Sequence, residues 1–226
     1  MNFDPTVLFP YLPDLADGLR LTFFACALAL AGALILGLAV ALMRSAAAPW
    51  PRRVAAAYVD VFRNVPFIVQ LFFFFYGLPE IGVRLDAFGT GVLAMSIAGG
   101  AFVSDVIRAG ILAIDPGVLE AAQVAGLSRG ATWRRIVLPL ALRVSVRPLG
   151  AVFVNLILTS SILSAITLNE LTGAAKIVAA GTFRPFEVYA LLLAAYALLT
   201  WSVALATRLL QRRLDRVHGV QAQGGR

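Results

Sequence analysis

Charge is what this chain has least of. Charged residues fill 14% of its 226 positions and hydrophobic residues 60%, whereas a soluble domain carries about 25% charged residues. So sparse a polar complement cannot clothe a water-facing surface, which excludes an ordinary soluble domain, a disordered chain and a collagen-like one. Cysteine occurs once, as Cys26, so no intrachain disulfide can form, and with His218 as the one histidine no four-ligand zinc site can be assembled. Lysine also occurs once. Lys176 is followed by Ile177, not by the Ser or Thr that closes a phosphate-binding P-loop. No catalytic residue, metal set or nucleotide-binding motif is therefore read from the sequence. What the chain has instead is long apolar runs, and it reads as an integral membrane protein.

A hydrocarbon core about 30 Å thick needs about 20 helical residues. Charges divide the sequence into five runs near that length, at 21–43, 64–79, 87–104, 149–169 and 188–207. Allowing for helix extension past flanking charges, the expected spans are 19–43, 58–79, 87–114, 147–168 and 187–210. Helices are expected because lipid offers no partner to exposed backbone groups, and the runs lack the alternation of barrel strands. With the amino terminus outside and five alternating spans, thirteen of the nineteen basic residues fall on cytoplasmic segments, among them Arg44, Arg129, Arg208 and Arg226. Four, Arg20, Arg84, Lys176 and Arg184, fall outside, and Arg63 and Arg108 lie at or within spans. The positive-inside rule favours this orientation, with a cytoplasmic carboxyl terminus. Asp4, Asp14 and Asp17 on the outer terminus agree. The first span lacks a basic n-region and is too long for a cleaved signal peptide. The arginine-rich tail reads as a topology anchor in a chain whose expected partners include membrane lipid and no nucleic acid, with nucleic-acid or acidic-lipid binding by the tail as the lesser alternative. An odd number of spans disfavours a simple inverted-repeat transporter.

One loop, 115–139, is long and patterned. Asp115 and Pro116 form a helix start, with an N-cap acceptor and a fixed φ at the first helical position. Residues 119–125 favour a short helix, Gly126 can turn the chain with positive φ, and Ser128 can cap a second helix to about Ile136, before Pro139. A helix–turn–helix is expected, although a plain surface loop has the same local chemistry.

The same loop carries a resemblance. Glu120-Ala121-Ala122, then Gly126, then Ile136-Val137-Leu138-Pro139 resembles the EAA signature of binding-protein-dependent ABC importer permeases. Tyr58 to Leu71, with Arg63, Pro66 and Gln70, and Tyr76-Gly77-Leu78-Pro79 are similar to the second-span signature of the polar amino acid branch. Arg108-Ala109-Gly110-Ile111, Glu170-Leu171-Thr172 and 182–187 are similar to later motifs, and Gly18 and Thr22 to the opening one. The resemblance covers nearly the whole chain. It implies an all-α, type I ABC importer-like permease of one domain, 1–226, whose loop 115–139 forms coupling helices seated on an ATPase. Glu120, Ala121, Ala122, Gly126, Ile136, Leu138 and Pro139 are then the coupling residues. Glu120 is expected to fix the elbow by hydrogen bonds or an ion pair, and Leu119, Ala122, Val124, Leu127 and Trp133 to offer apolar contact. The implied partners are an ABC ATPase dimer, which would bind the ATP and magnesium, a second permease, identical or not, and an extracytoplasmic amino acid-binding protein.

Polar residues at membrane depth are functional candidates. Asp105 and Arg108, three apart, share a helix face and can pair structurally, near Arg63. Gln70 is placed to bond across helices or to face a solute path. In the fourth span Asn155, Thr159, Ser160 and Ser161 could line that path, or the hydroxyls could bond their own backbone. The family commonly has Lys-Asp-Thr-Ser-Leu where this chain reads Leu158-Thr-Ser-Ser-Ile162, so its charged pair is absent. The stretch 98–101, Ala-Gly-Gly-Ala, suits close helix packing. Loop 168–187, with Gly173, Gly181 and Pro185, is expected to be a folded turn that meets the binding protein. Composition alone also allows a channel or secondary transporter, which ATP dependence would distinguish.

Overall fold

The computed structural model describes residues 5–217; Asp4, His218 and Arg226 lie outside them. A 3-10 turn, Pro5–Tyr11, leads into α1 (Leu12–Arg44), followed by α2 (Pro49–Asn64), α3 (Phe67–Glu80) and α4 (Ala87–Leu112). Two short helices come next, α5 (Pro116–Val124) and α6 (Arg129–Thr132), then α7 (Leu138–Ser160), α8 (Leu171–Thr182) and α9 (Pro185–Val217). No strand occurs among the described residues.

Small residues bring the central helices together. On α1, Ala25, Ala29, Ala33, Gly37 and Ala41 are buried at helical spacing, facing α4. A Cβ at Gly37 would lie 2.5 Å from Val103 Cβ, and one at Gly32 would lie 2.4 Å from Ser96 Oγ. Side chains are as compatible with lipid as with each other, so close backbone approach and van der Waals contact hold such helices together. Gly99 and Gly100, in the 98–101 stretch, are packed against Ala33, Leu156, Leu36 and Tyr58 as expected. Residues on the opposite side of α1, such as Phe23, Phe24 and Ile35, are exposed, as a lipid-facing surface requires.

Among the described residues, four helical stretches are long and apolar enough to cross a membrane, and a fifth crossing exists if the bent pair α2–α3 counts as one. That pair corrects the expected span 58–79. It is broken, not continuous, with a 106° bend. Pro66 disfavours helical backbone at the residue before it, and Val65 is extended, at φ −87° and ψ 132°. Helix α3 by itself is about 21 Å long at 1.5 Å per residue. The phenylalanine run divides accordingly. Phe72, Phe74 and Phe75 pack on the core, while Phe73 is exposed.

The span expected at 147–168 begins earlier. Pro139 does not end the preceding helix, because a π turn over Trp133–Val137 links α6 directly to α7. The Leu138 amide donates to Trp133 O, five residues back, and the wider turn passes the chain into Pro139, which has no N–H to place. At the far end, α7 tightens into 3-10 turns over Ser161–Ile166. Segment 168–187 holds the 12-residue helix α8 instead of a folded turn. Gly173 is required there by proximity, since a Cβ would meet Leu168 O at 2.4 Å. Thr167 and Phe183 reverse the chain on either side, both at positive φ. Helix α9 lies at the periphery, with Leu193, Leu198 and Trp201 exposed.

Candidate functional site

The break between α2 and α3 creates a concave site. Chain reversal at Pro66 leaves backbone carbonyls of the last α2 turn without helical donors, and the Gln70 side chain supplies them. Its Nε2 donates to Val65 O at 2.8 Å and to Phe62 O at 3.1 Å. The corner so fixed forms one wall of a cavity of about 440 Å³, opposed by Gly99 and Phe102 of α4 and by Asn155 and Thr159 of α7. Thr159 Oγ1 donates to Asn155 Oδ1 at 3.2 Å. Gln70 Oε1 is buried with no partner among the described residues. The cavity thus combines an apolar lining with a few polar groups, the usual makeup of a small-molecule site.

Of the five residues expected on a solute path, Gln70, Asn155 and Thr159 line this cavity. Ser160 and Ser161 do not. Each spends its hydroxyl on its own helix, at 2.7 Å to Ile157 O and to Leu158 O respectively. Arg63 lies on the cavity wall, with its guanidinium carbon 5.5 Å from the Phe102 ring centre, a cation–π geometry.

The ion pairing differs from the local expectation. Asp105 does not pair with Arg108. Its Oδ1 accepts from Arg44 and its Oδ2 from Arg63, so one carboxylate joins α1, α2 and α4. Arg44 is largely buried in this arrangement. Asp105→Ala would leave two guanidinium groups facing each other. The cost lies between that of an exposed pair and the 3–5 kcal/mol of a buried one, about 2 kcal/mol. An apparent melting temperature about 4–8 °C lower is expected in detergent, read by tryptophan fluorescence, with part of the loss recovered by adding Arg44→Gln.

A second polar centre, at the other end of α1, was visible in the sequence only as the motif Glu170-Leu171-Thr172. Glu170 is fully buried. It caps α8 by accepting from the amides of Thr172 at 2.9 Å and Gly173 at 3.0 Å. Tyr196 of α9 donates to its Oε2 at 3.1 Å, and Thr22 of α1 lies 3.3 Å from the same oxygen. Thr22 also accepts from the Leu171 amide at 3.0 Å. Burial pushes the Glu170 carboxyl above its usual range, and these four donors pull it back. Gly18 permits the contact, because a Cβ there would lie 2.9 Å from Ala174 Cβ.

The elbow of α5 and α6 forms as its caps dictate. Asp115 Oδ1 accepts from the Gly117 amide at 2.7 Å, and Ser128 Oγ from the Ala131 amide at 3.3 Å. Gly126 turns the chain at φ +73°. Glu120 is exposed and has no hydrogen bond or ion pair among the described residues, so the expected internal fixing by Glu120 is absent. The apolar residues also divide. Ala122 is buried, Leu119, Leu127 and Trp133 line a cleft against the end of α4, and Val124 is 90% exposed. Ala121 is exposed, whereas Ile136 and Leu138 are half-buried and Pro139 lies in the first turn of α7.

Residues 22–217 match the family described as the binding-protein-dependent transport system inner membrane component. The chain belongs to that family. The permease is thus a multi-pass inner-membrane subunit of an ABC importer. It is 36% identical to the probable glutamine ABC transporter permease protein GlnM of Bacillus subtilis, over 93% of its own length and 98% of that protein's. It is 33% identical to the glutamine transport system permease protein GlnP of Escherichia coli K12, over 95% and 99%. Among solved structures it resembles the crystal structure of an amino acid ABC transporter with histidines, with a TM-score of 0.87 and 34% identity over 94% of this chain and 100% of that one. The fold is shared with the inward-facing MetNI methionine ABC transporter, at a TM-score of 0.79, 18% identity and coverage of 91% and 98%.

Proposed function

We propose that the permease imports a polar amino acid by alternating access, with its amino terminus outside and the α5–α6 elbow in the cytoplasm. The observation that carries this reading is the cavity at the α2–α3 break. Its Gln70, Asn155 and Thr159 offer amide and hydroxyl groups of both donor and acceptor character, which suits a zwitterion with a polar side chain. The names of the relatives, glutamine permeases in two cases, support the substrate class. The distribution of arginines supports the orientation.

The elbow is the coupling device. The chain has no P-loop, so a partner ATPase dimer supplies ATP and magnesium binding and hydrolysis. Exposed Glu120, Ala121 and Val124 face outward to meet that partner, while Ala122, Leu127, Ile136, Leu138 and Pro139 belong to the rigid seat connecting it to α4 and α7. With no side-chain partner among the described residues, Glu120 is available to a basic group of the ATPase. A second permease would complete the path, and α8 with the turn after it, where Ile177 and Phe183 are exposed, is the surface for the extracytoplasmic binding protein.

The test is glutamine uptake into proteoliposomes holding the permease with its ATPase and binding protein. Asn155→Leu removes a cavity amide and is expected to lower uptake about tenfold or more, since an unmatched polar substrate group costs about 1–3 kcal/mol. ATP hydrolysis without substrate is expected to stay within twofold of the native rate. Uptake that continues undiminished when ATP hydrolysis is blocked would refute the reading.

A further inference from the structure

We infer that the permease binds an anionic phospholipid headgroup in the groove between α7 and α9. The two helices run antiparallel, as the contacts Gly150 to Thr207 and Arg143 to Asp215 require. At Gly150 they come close, where a Cβ would lie 2.4 Å from Thr207 Cγ2. Alongside this close approach runs a groove of about 660 Å³ walled by Arg147 on one helix and Arg208 and Arg212 on the other, with Ala151, Val154 and Ala204 as its apolar part.

The charge in this groove is uncompensated. All three arginines are exposed, and none has an ion pair or hydrogen bond among the described residues. The nearby acid Asp215 is already engaged, by Arg143 at 3.4 Å and Gln211 at 2.9 Å. Arginine guanidinium matches a phosphate oxygen pair in geometry as well as charge.

Position selects a lipid over a soluble anion. Arg208 follows the apolar run 188–207 directly, so the guanidinium groups lie where hydrocarbon gives way to headgroups. Leu205 and Trp201, about one and two turns before Arg208 on the same stripe of α9, are exposed and offer an apolar track for an acyl chain. Basic pockets between helices at the cytoplasmic face bind anionic headgroups by this combination. The proposed orientation decides only which leaflet supplies the lipid.

Native mass spectrometry of the full-length permease, purified in mild detergent with whatever subunits it retains, tests the assignment. Phosphatidylglycerol or phosphatidylcholine is titrated in. Retention of phosphatidylglycerol over phosphatidylcholine is expected. At about fivefold per arginine near an anionic surface, Arg208→Gln with Arg212→Gln should weaken phosphatidylglycerol binding about 25-fold. Arg52→Gln with Arg53→Gln, equal in charge lost and on α2, should leave it within twofold, and Arg208→Lys with Arg212→Lys should retain most of it. Equal loss in the two glutamine pairs, no preference between the lipids, or lipid bound only when partner subunits are stripped away would each overturn the site. The measurement is blind to sidedness, so a reversed topology would be found separately.

Discussion

Gly126→Val is expected to insert at the native level yet transport at less than one tenth of the native rate. The reason is conformation, not space. No described residue lies within 4 Å of a Cβ placed at Gly126, but φ is +73°. A β-branched residue at positive φ is a genuine outlier, costing about 1–3 kcal/mol. The glycine closes a Schellman turn at the end of α5. Leu127 N donates to Ala122 O at 3.1 Å and Gly126 N to Gln123 O at 2.9 Å. Valine would open that turn and let α5 swing relative to α6, so a push from the ATPase would be absorbed at the elbow. Asparagine tolerates the left-handed region, so Gly126→Asn should retain most of the transport. Uptake and ATP hydrolysis measured together in proteoliposomes separate the outcomes. Normal uptake by the valine variant would remove the elbow from the mechanism.

Local chemistry was legible in the sequence, and distant chemistry was not. Asp115, Ser128 and Gly126 do in the structure what their neighbours in the chain require, because caps and turns involve contacts a few residues apart. The close packing of the 98–101 stretch follows from its small residues as well. The break at Val65 was also written locally, in the step into Pro66, but run length conceals it: a count of apolar residues does not register a bend. Pro139 errs in the opposite direction. A proline ends a helix by local rule, and here a π turn carries the helix through it. Asp105 has an arginine three residues away and instead bonds one 61 residues away and another 42 away, choices made by how α1, α2 and α4 pack. Glu170 shows the same limit. Its partners Thr22 and Tyr196 come from α1 and α9, and no spacing in the chain brings them together.

That carboxylate is where the largest loss of stability is expected. Glu170→Ala would leave the amides of Thr172 and Gly173 facing a void, with Tyr196 keeping its bond to Thr172 Oγ1 at 2.9 Å and Thr22 its bond to Gly18 O at 3.1 Å. Each stranded donor costs about 1–3 kcal/mol, and losses within one network do not add fully. A destabilisation of about 4 kcal/mol follows, or about 8–16 °C in apparent melting temperature for a chain of this size. Glu170→Gln preserves one acceptor but turns an N–H₂ towards donors, so it should fall between. Tyr196→Phe removes a single donor, and about 1 kcal/mol, or 2–4 °C, is expected. The order alanine, glutamine, phenylalanine is itself diagnostic. If Glu170 served only to cap α8, Glu170→Ala would cost about 1 kcal/mol, no more than Tyr196→Phe, which also gives up the bond to Thr172. A Glu170→Ala melting point within 2 °C of native would mean that α1, α8 and α9 are held by their apolar contacts and that the carboxylate does not knot them.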